Sequence, residues 1–359
     1  MLHRALRAWG SPGETVRVTA AEDTVTAPPI RPPQLLYAGD VNGEAVVLLH
    51  DGERLVRYAE PATDGGAAGR EDTAALDFAR TDNAGVTTAA AVVISRTAGG
   101  ARYLMAPWIA ETGTRDLLRP GAATRRLPAV DGVTAVVPSP ATGGACTSWP
   151  VLSLRSSERI VEKHAFLLTD LGDLTPAHLT HTPPPGSGAP ARQPREATGR
   201  EALVSWARSA CTLTAMRGQG ARAVNDWVYA RQTLPGGGRA AWVCTRMEAW
   251  RGTGRVQVRF QPPAAGPATP GTVVAEQGGT AACGRFGQHV VAAAQWRSPQ
   301  GRWFVLAAGS RSVSRISLSG GVDASSAGPT IAVPAAEGTQ VEVTAFHADG
   351  SELSPLRGR

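Results

Sequence analysis

The chain has 359 residues, enough for two domains of ordinary size, and its 42% hydrophobic content is that of a globular protein with a buried core. Gly 41 and Pro 27 are too many for a mainly helical fold and suit short strands joined by frequent turns. The net charge of +6 comes from scattered arginines, with Lys163 the only lysine; no basic stripe follows a phosphate backbone, so no nucleic-acid partner is expected.

The chain opens "MLHRALRAWGSPGE", where Leu2, Ala5, Leu6 and Trp9 keep helical spacing until Gly10-Ser11-Pro12-Gly13 stops it. There is no apolar signal-peptide core here, and no run of eighteen apolar residues anywhere that could span a bilayer. Residues 1–33 are therefore read as a helix stub, the end of a longer membrane anchor missing from this sequence, followed by an extended spacer stiffened by "APPIRPP". An ordinary frayed terminus is the plainer alternative.

A first β domain is expected over 34–182. Its opening, "LLYAGDVNGEAVVLLHDGERLVRYAEP", has three apolar runs separated by Asn42-Gly43 and Asp51-Gly52, the dipeptides of tight hairpins. Asp40, Glu44 and Asp51 are read as turn and exposed-face residues. A Gly-rich loop, "ATDGGAAGRED", comes next. Further strands are expected in "TTAAAVVISRT", "ARYLMAPW" after a Gly99-Gly100 turn, "TAVVPS", "WPVLSLRS" and "EKHAFLLTD". "DLGDLTPAHLTH" gathers Asp170, Asp173, His178 and His181, side chains able to ligate zinc or manganese. Pro176 and Pro183 exclude a continuous helix, and on a strand the two histidines face opposite ways, so a polar loop is the preferred reading and neither metal nor cofactor is expected.

From His181, "HTPPPGSGAPARQPREATGRE" carries five prolines and three glycines without apolar periodicity, and 183–198 is read as a linker. A second, Trp-rich β domain is expected over 199–359. It begins with one short amphipathic helix on Leu203, Trp206, Ala207, Ala210 and Leu213, then continues as strands to "TQVEVTAFH", where Val341, Val343 and Ala345 alternate with Glu342 and Thr344. The fold class is mostly β: two antiparallel β domains of sandwich, barrel or partial-propeller type, with one short helix after the linker.

Six of the nine tryptophans follow residue 200. Trp227, Trp250 and Trp296 are candidates for an exposed platform on which sugar rings stack; burial in the core is the stronger expectation. The four cysteines, Cys146, Cys211, Cys244 and Cys283, include no CxxC pair, which argues against zinc and thioredoxin-type chemistry. The expected pairing is Cys244–Cys283 and Cys146–Cys211, the second bridge crossing the linker. A catalytic pair of Cys283 and His289 lacks any third group to orient the histidine. No phosphate loop, nucleophile elbow or zinc-protease helix occurs.

"NDWVYARQTLPGGGRAAWVCTRMEAWRGTG", "ACGRFGQHVVAAAQWRSPQGRWFVLAAGS" and the opening meander together resemble a family of uncharacterised actinobacterial proteins. The resemblance implies an N-terminal membrane helix followed by an extracytoplasmic region, and no activity. The expected function is non-enzymatic binding or sensing at the cell envelope, with a protein or cell-wall polymer as partner. The alternatives are a secreted hydrolase acting on envelope material and a cytosolic propeller-like scaffold.

Overall fold

The computed structural model describes residues 1–62, 73–140, 145–159, 163–185, 193–252, 254–263, 266, 269–285 and 288–357. Most of the Gly-rich loop, and 186–192 within the expected linker, lie outside the described residues.

The hairpin signals act as expected. Strands Gln34–Val41 and Glu44–His50 meet at Asn42 and Gly43, whose φ angles of 54° and 77° are those the turn demands. With Arg54–Pro61 and Ala74–Arg80 they form an antiparallel meander, and Val16–Ala20 adds in parallel beside Ala74–Arg80. Alternation gives this first sheet two apolar faces. Val47, Leu49, Val56, Tyr58, Leu76 and Phe78 bury against helix α1 (Leu2–Gly10) through Ala5, Ala8 and Trp9. Val46, Leu48 and Ala59 bury against Ile94 of a second, four-stranded sheet.

Two sequence expectations need correction here. The segment read as a free spacer is fastened to the first sheet. The Arg54 guanidinium donates to the carbonyls of Val25, Ala27 and Pro28 at 2.8–3.0 Å, and the Trp9 indole donates to Ala27 at 3.1 Å. Asp51 is buried, not exposed, because it turns inward to pair with Arg54 at 2.6 Å and to accept backbone N–H groups of its own turn.

The second sheet contains Ala91–Thr97 and Gly100–Met105. At Gly100, φ is 140° and a Cβ would stand 2.0 Å from the Val137 carbonyl, so no other residue fits. Its far face packs Val93 and Tyr103 onto Leu152, Leu154, Phe166 and Leu168 of a ten-stranded sheet.

That long sheet does not stop at 183–198. Ala177–Thr182, before the Pro/Gly-rich segment, pairs in parallel with Ala221–Thr233, after it, from His178↔Ala223 to Thr182↔Trp227. The connection between these two parallel strands runs from 183 to 220 and includes a helix, and the strand pairing spans the expected boundary. The predicted short helix is present as α2 (Arg200–Ser209), continued by a 3-10 turn Ala210–Met216. Of the predicted stripe, Leu203, Trp206, Ala210 and Leu213 cover Val151, Leu167, Leu179 and Val224 of the long sheet, and Ala207 is buried beside them in the helix.

On Ala221–Thr233, Val224 faces α2 while Trp227 and Tyr229 face the other way, toward a three-stranded sheet of Val291–Arg297, Trp303–Gly309 and Thr330–Pro334. Even-numbered Phe304, Leu306 and Ala308 pack on the long sheet. Odd-numbered Val305 and Ala307 pack on a final four-stranded sheet through Ile316, Leu318, Val343 and Ala345. The fold is thus mostly β and built from stacked sheets, none of which closes into a barrel.

Two disulfides fasten it, in the expected pairing: Cys146–Cys211 and Cys244–Cys283. The first ties the 3-10 turn after α2 to the approach to strand Pro150–Ser156. The second lies in the core beside Trp227 and Trp242, as expected for an indole packed on sulfur. Such bridges are characteristic of oxidising compartments.

Candidate polar cleft between three sheets

Where the first, second and long sheets approach one another, they leave a cleft of about 690 Å³. Its charged lining comes from distant parts of the chain: Arg17, Glu44, Arg57, Glu60 and Asp77 from the first sheet, Arg96 from the second, and Asp173 from the loop before strand Ala177–Thr182. Cross-strand register explains the first group. Arg57 lies opposite Asp77, and Asp77 lies opposite Thr19, so their side chains share one face of the sheet.

Arginines hold the walls. Arg57 is buried and reaches Asp77 at 2.8 Å and Glu44 at 3.1 Å, while its Nε donates to the Ile94 carbonyl of the second sheet at 2.6 Å. Thr19 donates to the other oxygen of Asp77. Arg96 grips Asp170 with two hydrogen bonds of 2.5 and 2.8 Å and donates to the Asp173 carbonyl at 2.7 Å. The backbone closes the junction, the Val93 N–H donating to the Leu174 carbonyl at 2.7 Å. Geometry of this kind, bidentate and partly dry, makes an ion pair a rigid joint.

The two aspartates of the loop differ sharply. Burial pushes the Asp170 carboxyl up, but Arg96 and the Gly172 N–H outweigh it, and the group lies below the ordinary carboxylate range. Asp173 has weaker compensation. Burial pushes it up to about 6, opposed by the N–H groups of Gly220 and Ala221 and by the charge of Arg96. It is the cleft's proton-exchanging group near neutral pH.

This shift has a stability consequence. The folded state holds the Asp173 proton more tightly than the unfolded chain, whose value is the ordinary 3.8. Raising the pH from about 4 to 6 therefore removes stability, on the order of 2–3 kcal/mol in full. Asp173→Asn should be more stable than the wild type by up to that amount at pH 7.5 and nearly equal to it at pH 3.5, as read from urea unfolding at the two pH values.

At the mouth, Arg17 is exposed and has no ion-pair partner among the described residues. Among the described residues the cleft is thus lined by an exposed guanidinium without an ion-pair partner, Arg17, and a buried acid of raised pKa, Asp173, between walls of neutralised charge. That suits a small polar or anionic group. A wider cleft of about 830 Å³ beside Thr112 and Thr124 lacks this convergence, because Glu111 and Arg155 pair with each other in solvent. No protein-family model matches the chain, and no curated protein matches it significantly.

The structure separates the residues first considered for metal. Asp170 and Asp173 belong to the cleft. His178 pairs with Glu196 at 2.7 Å. His181 is buried, its ring nitrogens have no hydrogen-bond partner among the described residues, and burial lowers its pKa. Among the described residues no three His, Cys, Asp or Glu side chains are arranged to hold an ion. The tryptophan platform is not assembled either. Trp227 is 4% exposed and faces the core. Trp250 is half-buried, donating to Thr175 and lying under Arg222, and Trp296 packs beside Phe304. His289 meets Ser312 and His347, while the Cys283 sulfur is bonded to Cys244.

Sequence reasoning missed both the cleft and a buried ion pair beneath α2. Arg259 and Asp226 are fully buried and 2.8 Å apart. Ser205, Ser209 and Thr245 also donate to the Asp226 carboxylate, and Arg259 reaches Thr212 and the Ser209 carbonyl. Asp226 is the one acid in the apolar strand "AVNDWVYA", and Arg259 is central in "VQVRFQ". A charge inside a strand covered on both faces demands a partner, and that signal was available.

Proposed function

We propose that this protein is a non-enzymatic binding or sensing module that works outside the cytosol at the cell envelope, and that the cleft between the three sheets is its ligand site. The cleft's position carries this reading. Ligand sites favour junctions between packed units, and a ligand touching Arg17, Arg96 and Asp173 joins the first sheet, the second sheet and the loop that enters the long sheet. The two disulfides support a place in an oxidising compartment. Membrane attachment through an N-terminal anchor remains part of the proposal, and an envelope protein or an anionic wall polymer is the partner it suits.

Purified cell-wall polymer and solubilised envelope protein, immobilised separately, test the reading. Retention of the wild type on one of them, weakened about tenfold or more by Arg17→Glu, is the expected result, since an opposed charge at a contact costs about 1.4 kcal/mol or more. No retention on either, or retention unchanged by Arg17→Glu, would remove the cleft from consideration.

The raised pKa of Asp173 favours a second reading, a secreted hydrolase with Asp173 as general acid. The other lining carboxylates are paired, Glu44 and Asp77 with Arg57 and Glu60 with Arg4, which leaves no unpaired carboxylate among the described lining residues as base or nucleophile. Turnover of envelope polymer that vanishes in Asp173→Asn would establish this reading; binding that survives the substitution without any turnover supports the first.

A further inference from the structure

The three-stranded sheet ends at Val291–Arg297, whereas the four-stranded sheet stacked on it continues past Val341–His347 to Glu352–Leu353. The middle layer is thus one strand short on this side, and a slot of about 740 Å³ runs along its edge. The side toward the long sheet carries Val274, Ala275 and Leu356, and the opposite side carries Val341 and Val343. Gln295 spans the gap with its side chain, donating to the Thr339 carbonyl at 2.6 Å and accepting from the Gly338 N–H at 2.9 Å. A side chain, rather than strand pairing, therefore joins the edge to residues 338–344.

Antiparallel pairing fixes which way the backbone of this edge points. Trp303 accepts from Ala335 and Gly309 donates to Pro329, so the odd-numbered residues of Trp303–Gly309 turn their N–H and C=O groups away from Val291–Arg297. The even-numbered ones turn toward Ala292, Ala294 and Trp296. The backbone groups of Val291, Ala293 and Gln295 therefore face the free edge, where Ala293 and Gln295 line the slot. None of these groups has a backbone partner among the described residues. Edges are commonly guarded by proline, a bulge or an inward charge. Val291–Arg297 has an unbroken register, no proline, and no charge before Arg297.

A row of alternating donors and acceptors between two apolar walls matches an extended polypeptide, which adds to a sheet edge through its main chain. Both faces of such a strand would be covered, which calls for a run of small apolar side chains. Glu342 lines the slot, and Glu337 precedes the lining residue Gly338. Both are exposed and without an ion-pair partner among the described residues, so the rim complements a cation. We propose that this slot takes up an extended segment of a partner protein as a fourth strand of the middle sheet, about five small apolar residues flanked by Lys or Arg. This surface stands apart from the cleft and does not depend on it.

Selection of a random heptapeptide phage library on the immobilised full chain tests the proposal. Enriched peptides are expected to carry Ala, Val, Ser or Thr at their centre, without proline, and Lys or Arg at an end. Synthetic copies, followed by fluorescence anisotropy, should bind at least tenfold more weakly to Ala293→Pro, which removes one outward N–H from the edge, and to Glu342→Lys. Near-UV circular dichroism of both variants should be unchanged. Methylating alternate amide nitrogens of the peptide should abolish binding by removing its donors to the edge; this and Glu342→Lys decide the matter where Ala293→Pro alters the dichroism. No enrichment, or binding that Glu342→Lys or amide methylation leaves unchanged, would overturn the proposal. So would a wild-type dimer that Ala293→Pro dissociates, because a second copy would then cover the edge.

Discussion

Replacing Cys244 and Cys283 together by alanine is expected to lower the free energy of unfolding by about 4 kcal/mol. The bridge closes a loop with a sequence separation of 39, and chain-entropy reasoning assigns a cross-link of that span about this value. Its surroundings add to the effect. Both residues belong to the core shared by the long sheet and the three-stranded sheet, so two missing sulfurs leave unfilled space next to Trp227 and Trp242. The Cys146–Cys211 bridge spans 65 residues and falls in the same range by the same reasoning, about 4 kcal/mol. The two loops do not overlap in sequence. Removing both bridges should cost on the order of 8 kcal/mol, comparable to the whole stability of many domains. Urea unfolding midpoints of the two double variants, at unchanged slope, measure this directly. A loss under about 1 kcal/mol for either would show that its bridge restrains nothing.

Breaking the Asp226–Arg259 pair should cost about as much, but for a different reason. Each group is fully buried, so removing one leaves the other charged and dry. Asp226→Asn or Arg259→Met is expected to cost about 3–5 kcal/mol. The carboxylate would keep the hydroxyls of Ser205, Ser209 and Thr245 after Arg259→Met. The guanidinium has fewer strong acceptors after Asp226→Asn, so that variant should be the worse of the two. The double variant should be markedly more stable than the sum of the single losses implies, by 1 kcal/mol or more, because no unpaired charge remains. Simple additivity would mean that the pair is not an energetic unit. Near-UV circular dichroism of Trp206, which lies on α2 and donates to the Thr180 carbonyl, would follow the loosening of the helix.

Much of the fold was readable because its signals are local. Asn42-Gly43 forces a hairpin wherever it lies between apolar runs, and the Leu203-Trp206-Ala207-Ala210 stripe leaves little choice but a helix laid on a sheet. Val341, Val343 and Ala345 are inward-facing and Glu342 is exposed, as alternation required. The segment 183–198 misled because prolines and glycines mark both linkers and crossovers; only the pairing of Thr180 with Asn225 tells them apart. Asp51 was misplaced for a similar reason. Its turn was read correctly, but an arginine three residues on can draw the carboxylate inward, and Asp51-Arg54 is such a pair.

The cleft was not readable at all. Arg57 and Asp77 become neighbours through strand register, and Arg96 meets Asp170 only after two sheets have packed. No motif joins residues gathered in that way. The tryptophans carry the opposite lesson. A large aromatic among strands is core unless something holds it out, and Trp227, directly across from Cys244, had nothing to hold it out.

Two bridges, Cys146–Cys211 and Cys244–Cys283, fasten this stack of sheets, a trait characteristic of proteins from oxidising compartments. Thiol titration of the protein, purified without reductant from its native host and denatured in guanidinium, tests it most directly, with peptide mapping of the same sample. The account predicts no free thiol, and cross-linked peptides joining Cys146 to Cys211 and Cys244 to Cys283 only. Four free thiols, or bridges in any other combination, would contradict it.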